Sequence, residues 1–350
     1  MKEFRTQFDL ALEQWFTEKK QSFSASVQQD LLLEELFTAV EALSLSGGKR
    51  IRPSLVWLLS GFSLPLSAQQ FRPFIAIELF HVFGLIHDDI IDNGESRRGV
   101  PTTHIVAEKF LDTHNKLGLR KKYGESMALL MGDLLFAWVH ELLDTADLAP
   151  ENLQRVKSMF TRMSEDVMIG QLIDVDIMSS ESTSTERIFQ KMKLKTASYT
   201  FVWPMQIGLA LGNAEPVLFE ESATCGELLG IAFQIQDDIL DAMGDEALLG
   251  KTPMRDITEG QHTLLTQYIF EQGTDEQKQT LKQVFRTELS DAQKVELREL
   301  FEQSGALQFA EKQVDHYFEM AKNSIAASHF DENIKKELYL LVQEIEKRKK

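Results

Sequence analysis

The chain has 350 residues, 43% hydrophobic and 26% charged, the balance of a globular protein with a sizeable core. A formal charge of −17 argues against nucleic acid and anionic membrane surfaces as partners, since both need a positive face. A single cysteine, Cys225, excludes an intrachain disulfide framework and a cysteine-based zinc site, and fits a reducing, cytoplasmic location.

The start, MKEFRTQFDL, lacks the apolar stretch of a signal peptide, so no leader is expected. Apolar runs such as Leu55 to Leu59 or Phe201 to Leu211 stop short of the ~18 residues that span a bilayer, so no stable membrane insertion is expected. Only 8 prolines, thinly spread, and no Gly/Ser-rich tract predict one domain over residues 1–350.

Hydrophobic periodicity predicts helix nearly throughout. Residues 29–45 (QDLLLEELFTAVEALSL) repeat apolar side chains every three or four positions and stop at Gly47-Gly48. Residues 55–66 fit either a buried helix end or an extended segment. Ile75 to Ile91 is apolar on all sides and reads as a central helix, closed by a loop through Asn93-Gly94 and Gly99-Val100-Pro101. A helix and an exposed loop share 105–124. Further helices are predicted over about 125–143, 151–178, 185–210 and 217–242, with a C-terminal set over about 260–345. Strand-type alternation is never sustained and no solenoid repeat occurs, so the fold class is all-α.

Two segments interrupt this pattern with charge. Asp88-Asp89-Ile90-Ile91-Asp92 and Asp237-Asp238-Ile239-Leu240-Asp241 share the spacing D-D-x-x-D, each behind an apolar helical run. On a helix turning about 100° per residue, the first and last aspartates of each set share a face. A solvated face would explain such a run in polar surroundings, but the apolar flanks count against that. Like charges four apart repel and a buried unpaired carboxylate is costly, so both clusters need cations. Oxygen-only ligands point to magnesium, which combines a few carboxylates with water and substrate phosphate oxygens. Two such helices facing each other in a bundle would line one cavity.

A phosphorylated ligand requires basic groups, and three sets are present. Arg97-Arg98 follow the first cluster, Lys251 follows the second, and Gly47-Gly48-Lys49-Arg50-Ile51-Arg52-Pro53 forms a basic turn. Helix capping accounts for a glycine and one basic residue there, not for Lys49, Arg50 and Arg52 together.

In chain order, GGKRIRP (47–53), HVFGLIHDDIID (81–92), RRGVPTTH (97–104), GD (132–133), GQLID (170–174), KT (195–196), FQIQDDILD (233–241) and GK (250–251) resemble the motifs of the trans-isoprenyl diphosphate synthases, or polyprenyl synthetases. The resemblance implies a single large helical bundle with a central active-site cavity, a homodimer, and several magnesium ions binding an allylic diphosphate. It makes Asp88, Asp92 and Asp237 the metal ligands, with Asp89, Asp238 and Asp241 in support. Arg97, Lys195, Thr196, Gln234 and Lys251 would hold the allylic diphosphate, Lys195 counting with the aspartates as catalytic. Lys49, Arg52, His81 and Arg98, with Arg50 in the same turn, would hold isopentenyl diphosphate. Gln171 and Asp174 would order the site, and His87 is structural.

The implied reaction ionises the allylic diphosphate toward a cation, which the isopentenyl double bond attacks before a proton is lost to the released pyrophosphate. Water must be excluded or the cation is quenched. One departure stands out: where the family usually has a lysine in a G-K-x-T pattern, this chain has Gly260-Gln261-His262-Thr263, which implies weaker allylic binding.

Product length is implied by the residues before Asp88. Gly84 leaves room for a growing tail and Phe80 lies on the same face, while Phe83, fifth before the motif, would act as a floor. These imply geranylgeranyl diphosphate, with farnesyl diphosphate as the alternative product. A peptide acceptor in place of isopentenyl diphosphate is a rival, disfavoured by the intact Lys49, Arg52 and His81. A non-catalytic regulatory subunit would lack aspartates, and none is missing. A P-loop at Gly244 and Gly250-Lys251-Thr252 fails on spacing and on its helical context. A di-iron bundle would want core glutamates, and a terpene cyclase would not need Lys49 with Arg52.

Overall fold

The computed structural model describes residues 1–244 and 253–347. Helices dominate, as the periodicity predicts. The one extended pairing among the described residues is a hairpin of Ser96–Arg97 (β1) with Val100–Pro101 (β2). Backbone contacts group the expected single domain into two compact units, Met1–Gln154 and Arg155–Lys350.

The first unit holds α1 (Lys2–Ser22), α2 (Ala25–Gln28), α3 (Leu31–Leu45), α4 (Ile51–Ser60), α5 (Ala68–Ile91), the hairpin, α6 (Thr103–Thr113) and α7 (Arg120–Asp144). Helix α1 has no counterpart in the sequence reading, because it is polar on average. Its Phe4, Phe8, Leu12 and Phe16 recur every four residues and are all buried. Phe4 stacks on Trp57 at 5.0 Å and meets Phe74 edge-on at 5.4 Å. Each such ring contributes about 2 kcal/mol of burial, enough to dock an otherwise polar helix.

Helix α5 begins at a Ser67–Gln70 capping box, upstream of the expected start at Ile75. It is buried on nearly every side and packs chiefly along α7, which makes it central, as the sequence predicts. The ambiguous 55–66 stretch is helical only to Ser60, where Gly61 at φ 67° ends α4. Helix α7 contains an 18-residue window of mean hydropathy 1.4, apolar enough for a membrane span, yet it packs along α5 and α6.

The second unit contains most of α8 (Pro150–Ser179), then α9 (Thr185–Lys191), a π-helical stretch Met192–Val202, α10 (Trp203–Leu211) and α11 (Pro216–Met243). Shorter helices from Arg255 and the pair Ala306–Ala327 and Glu332–Glu346 complete it. Helix α11 is the centre, packed on the π-helical stretch and on Ala306–Ala327. The single helix predicted over 185–210 is thus widened in its middle.

Glycines clasp that stretch. A Cβ at Gly170 of α8 would lie 2.5 Å from the Lys195 nitrogen, and one at Gly226 of α11 would lie 2.9 Å from the Val202 Cα. A Cβ at Gly230 would overlap the Ala197 Cα. Helix-interior glycine ordinarily weakens a helix, so its benefit here is the close approach that fixes Lys195 and Thr196. Gly230→Ala is therefore expected to destabilise the protein by about 2 kcal/mol through overpacking. Its urea midpoint should fall, and an unchanged midpoint would contradict the clasp.

Candidate active site

Helix α5 carries the first aspartate cluster at its C-terminal end, where the helix dipole already disfavours negative charge. Asp88 and Asp92 are half-buried and Asp89 is buried. The Asp89 Oδ1 accepts from Arg97 Nε at 2.7 Å and lies 2.6 Å from Arg97 Nη2. Burial works against the Arg97 charge, but the Asp89, Asp88 and Asp92 carboxylates outweigh it and raise its pKa. Arg97, expected on an allylic diphosphate, is thus seated on the cluster itself.

The hairpin separates the two arginines. Arg98 and Gly99 are its turn residues, at φ 53° and 78°, the left-handed pair of a two-residue hairpin turn. Arg97 lies in the strand and reaches Asp89, whereas Arg98 at the turn extends to His81, donating from Nη2 to Nε2 at 3.3 Å. Its guanidinium passes over Gly48, 3.5 Å from where a Cβ would stand.

Around His81 the first unit concentrates positive charge. Burial, then Arg52, Arg98, Arg97 and Arg50, hold the His81 pKa well below its ordinary 6.5, so the ring is neutral at pH 7 and accepts from Arg98. Burial also lowers the Arg98 pKa, with Glu78 opposing and Arg50, Arg52 and Arg97 assisting. An anion placed here would relieve that repulsion. Lys49 and Arg52 are half-buried beside it in the chain, but Arg50 is a correction to the sequence reading. Its buried guanidinium donates to Asp9 at 2.8 Å and to Glu78 at 2.6 Å, so it is a structural tie between helices rather than a ligand for substrate.

Below the cluster, a Cβ at Gly84 would meet nothing within 4 Å, which is the open space expected there. Phe83 sits in an aromatic group with Phe80 at 5.5 Å, Phe136 of α7 at 5.2 Å and His87 at 4.7 Å. His87 has a structural position: its Nε2 is 3.3 Å from the Leu129 carbonyl and 3.7 Å from Asp133. Gly132 makes room for that ring, since a Cβ there would overlap it.

The second unit carries the other cluster near the end of α11. Gln234 donates to Asp238 at 2.7 Å and accepts from Thr196 Oγ1 at 2.6 Å, tying α11 to the π-helical stretch. Burial, aided by Asp237 and Asp241, lifts Asp238 to about 7 against Lys191 and Gln234. Asp241 accepts from the Asp256 backbone N–H at 3.0 Å and so anchors the short helix Arg255–Glu259. Asp237 remains half-buried. Lys195 donates to Asp174 at 2.6 Å, and Gln171, one turn earlier on α8, has both amide atoms buried with no hydrogen-bond partner among the described residues. Lys251 lies outside the described residues.

The donor set suits magnesium. Both clusters offer only carboxylate oxygens, the hard ligands this ion prefers. Among the described residues no three His, Cys, Asp or Glu side chains converge as a ready-made cage. Magnesium needs none, since it is ordinarily held by one or two carboxylates together with phosphate oxygens.

Four participants escaped the sequence reading: Glu78 and Asp9, which neutralise Arg50; Phe136, which closes the aromatic group; and Lys191, which pairs with Asp174 at 3.1 Å. Lys191 had a signal available, standing one helical turn before Lys195. The partners of Arg50 had none.

A family model described as Polyprenyl synthetase matches residues 33–303. The geranylgeranyl diphosphate synthase of Methanosarcina mazei is 32% identical over 241 residues, 69% of each chain. The geranylgeranyl pyrophosphate synthase of Geoglobus acetivorans is 32% identical over 295 residues, 83% of this chain and 84% of that one. The crystal structure of geranylgeranyl pyrophosphate synthase from Corynebacterium glutamicum, complexed with isoprenyl diphosphate and magnesium, superposes with a TM-score of 0.91, 26% identity and 98% coverage of both chains.

A neutral buried His81 makes a signed prediction. The unfolded chain takes up this proton near its ordinary value of 6.5 and the folded chain only well below it, so stability present above 6.5 is lost as pH falls. In His81→Gln, which keeps an acceptor for Arg98, the decline in urea midpoint between about pH 7 and pH 5 should be shallower than in wild type. Parallel declines would show that His81 is not its source.

Proposed function

The chain belongs to the polyprenyl synthetase family, and we propose that it condenses isopentenyl diphosphate with an allylic diphosphate to make geranylgeranyl diphosphate. One observation carries the reading. On α5 alone, the cationic pocket at His81 stands two turns, about 10 Å, from Asp88 and three turns, about 16 Å, from Asp92, with the open space at Gly84 between. One end suits an anion bound directly, the other an anion bound through a metal, and the apolar helix suits a hydrocarbon.

In this reading Lys49, Arg52, His81 and Arg98 orient isopentenyl diphosphate, while Lys195, Thr196 and Gln234 bind the diphosphate that leaves. Magnesium, for which Asp88 and Asp92 are the ligands proposed in the first unit and Asp237 the one proposed in the second, would supply the charge that stabilises the departing diphosphate. The preset cations need no reorganisation as the allylic carbon–oxygen bond breaks, and the buried apolar wall keeps water from the cation. The isopentenyl double bond then forms the new carbon–carbon bond, and the proton lost goes to the released pyrophosphate. Arg97 acts one step back, holding Asp89 so that Asp88 and Asp92 keep their positions.

We propose a homodimer as the working form. On α8, Met168, Ile169, Leu172 and Val175 recur along one helix and are exposed, Leu172 by 71%. On α7, Leu129 and Leu130 are likewise exposed. A second copy is the proposed cover for these residues. A cytoplasmic location suits Cys225, whose buried thiol is pushed up to about 12 and is inert. Intact basic residues around His81 favour isopentenyl diphosphate over a peptide as acceptor.

Two experiments test this. Incubation with isopentenyl diphosphate and dimethylallyl, geranyl or farnesyl diphosphate should give magnesium-dependent elongation that stops at geranylgeranyl diphosphate, and Asp88→Ala should lose at least about 100-fold in kcat. Absence of elongation with magnesium present would sink the reading. Phe83→Ala, which opens the aromatic group beneath Gly84, should yield longer products; an unaltered product would remove Phe83 as the floor.

A further inference from the structure

The ion cluster around Asp174 brings two lysines to one buried carboxylate. Asp174 is 2% exposed, and its two oxygens are shared by Lys191 at 3.1 Å on Oδ1 and Lys195 at 2.6 Å on Oδ2, with Gln261 Nε2 at 3.3 Å. Burial pushes the Asp174 pKa up, and the two lysines outweigh it, so the carboxylate is ionised at neutral pH. Two ammonium groups thus face the one Asp174 carboxylate, and Lys191 also acts on Asp238 of the nearby cluster.

The two lysines are held differently. The Lys191 ammonium is ion-paired with Asp174 Oδ1 and donates to Gln261 Oε1 at 3.2 Å and to the His262 carbonyl at 3.4 Å. Its side chain is 11% exposed, against 23% for Lys195. Lys191 is therefore fixed in place, and Lys195 is the more accessible of the pair.

We propose that Lys191 is a positioning residue, the permanent counter-charge of Asp174 that allows Lys195 to turn to the allylic diphosphate. The proposal rests on the transferase reading above. If Lys195 were the sole partner of Asp174, its departure would strand a buried carboxylate, a cost charged directly against ligand binding. With Lys191 in place the carboxylate stays compensated. Gln261 belongs to the same device: its amide donates to Asp174 and accepts from Lys191, whereas a lysine at position 261 would press a third ammonium against Lys191. The positive charge that the family pattern puts at 261 is supplied here from 191. Position 191 and position 261 can carry it alternatively, not together.

This yields a charge-relocation test on the magnesium-loaded enzyme, with farnesyl diphosphate and isopentenyl diphosphate as substrates. Lys191→Met should raise the KM for farnesyl diphosphate about tenfold and leave that for isopentenyl diphosphate within about twofold. Gln261→Lys alone should also raise the farnesyl diphosphate KM, by repulsion. The double variant Lys191→Met/Gln261→Lys should return to within about threefold of wild type. The rescue is read against Lys191→Met itself, so a fold defect shared by both variants cannot imitate it. A Lys191→Met enzyme with unchanged farnesyl diphosphate KM, one in which both KM values rise together, or a double variant no better than Lys191→Met would each overturn the proposal. A wild type that elongates nothing would overturn the transferase reading and this inference together.

Discussion

Carboxylates at the C-terminal ends of apolar helices are the constraint around which the site is built. Helix α5 closes on Asp92 and α11 runs through Asp241 to Met243, so each cluster adds negative charge where aligned peptide dipoles already point their negative end. Such an arrangement is tolerable only with cations close by. Arg97 meets the need for Asp89, and Asp238 meets it by taking up protons more readily, at about 7. Asp88, Asp92 and Asp237 stay half-buried, and Asp88 and Asp92 share in the attraction to Arg97.

Basic residues adjacent in the chain take different roles for backbone reasons. Arg50 precedes α4 as its N-cap at φ 48°, a left-handed conformation, and meets Asp9 and Glu78, whereas Arg52 lies half-buried within the helix. The hairpin turn does the same for Arg97 and Arg98, sending one to a carboxylate and the other to a neutral imidazole. A cation with a buried acidic partner ties helices together; one crowded by its own kind awaits an anion.

Much of this was legible in advance. The two aspartate clusters, the basic turn and the lysine–threonine pair identify the chemistry by residue type and order, and the uniform apolarity of 75–91 marks the central helix. Helix α1 was hidden because only Phe4, Phe8, Leu12 and Phe16 carry its apolar face while its average is polar. The π-helical stretch was hidden too, since nothing in MKLKTASYTFV departs from ordinary helical composition. Its widening accompanies close approach by Gly170, Gly226 and Gly230, which are remote in sequence.

Sequence alone determined the kinds of charge, their helical phase and the apolar surfaces beside them, because these depend on residue type and on neighbours within a turn or two. Tertiary structure decided which cation meets which carboxylate. Arg50 and Asp9 are separated by 41 residues, Lys195 and Asp174 by 21, and Gln261 and Asp174 by 87. A buried charge is compensated by whatever the fold brings within about 3 Å, and local spacing carries no record of that. So the sequence could name Arg50 and Arg52 alike as ligands for phosphate, and only packing could remove the first and add Lys191 as the partner of Asp174.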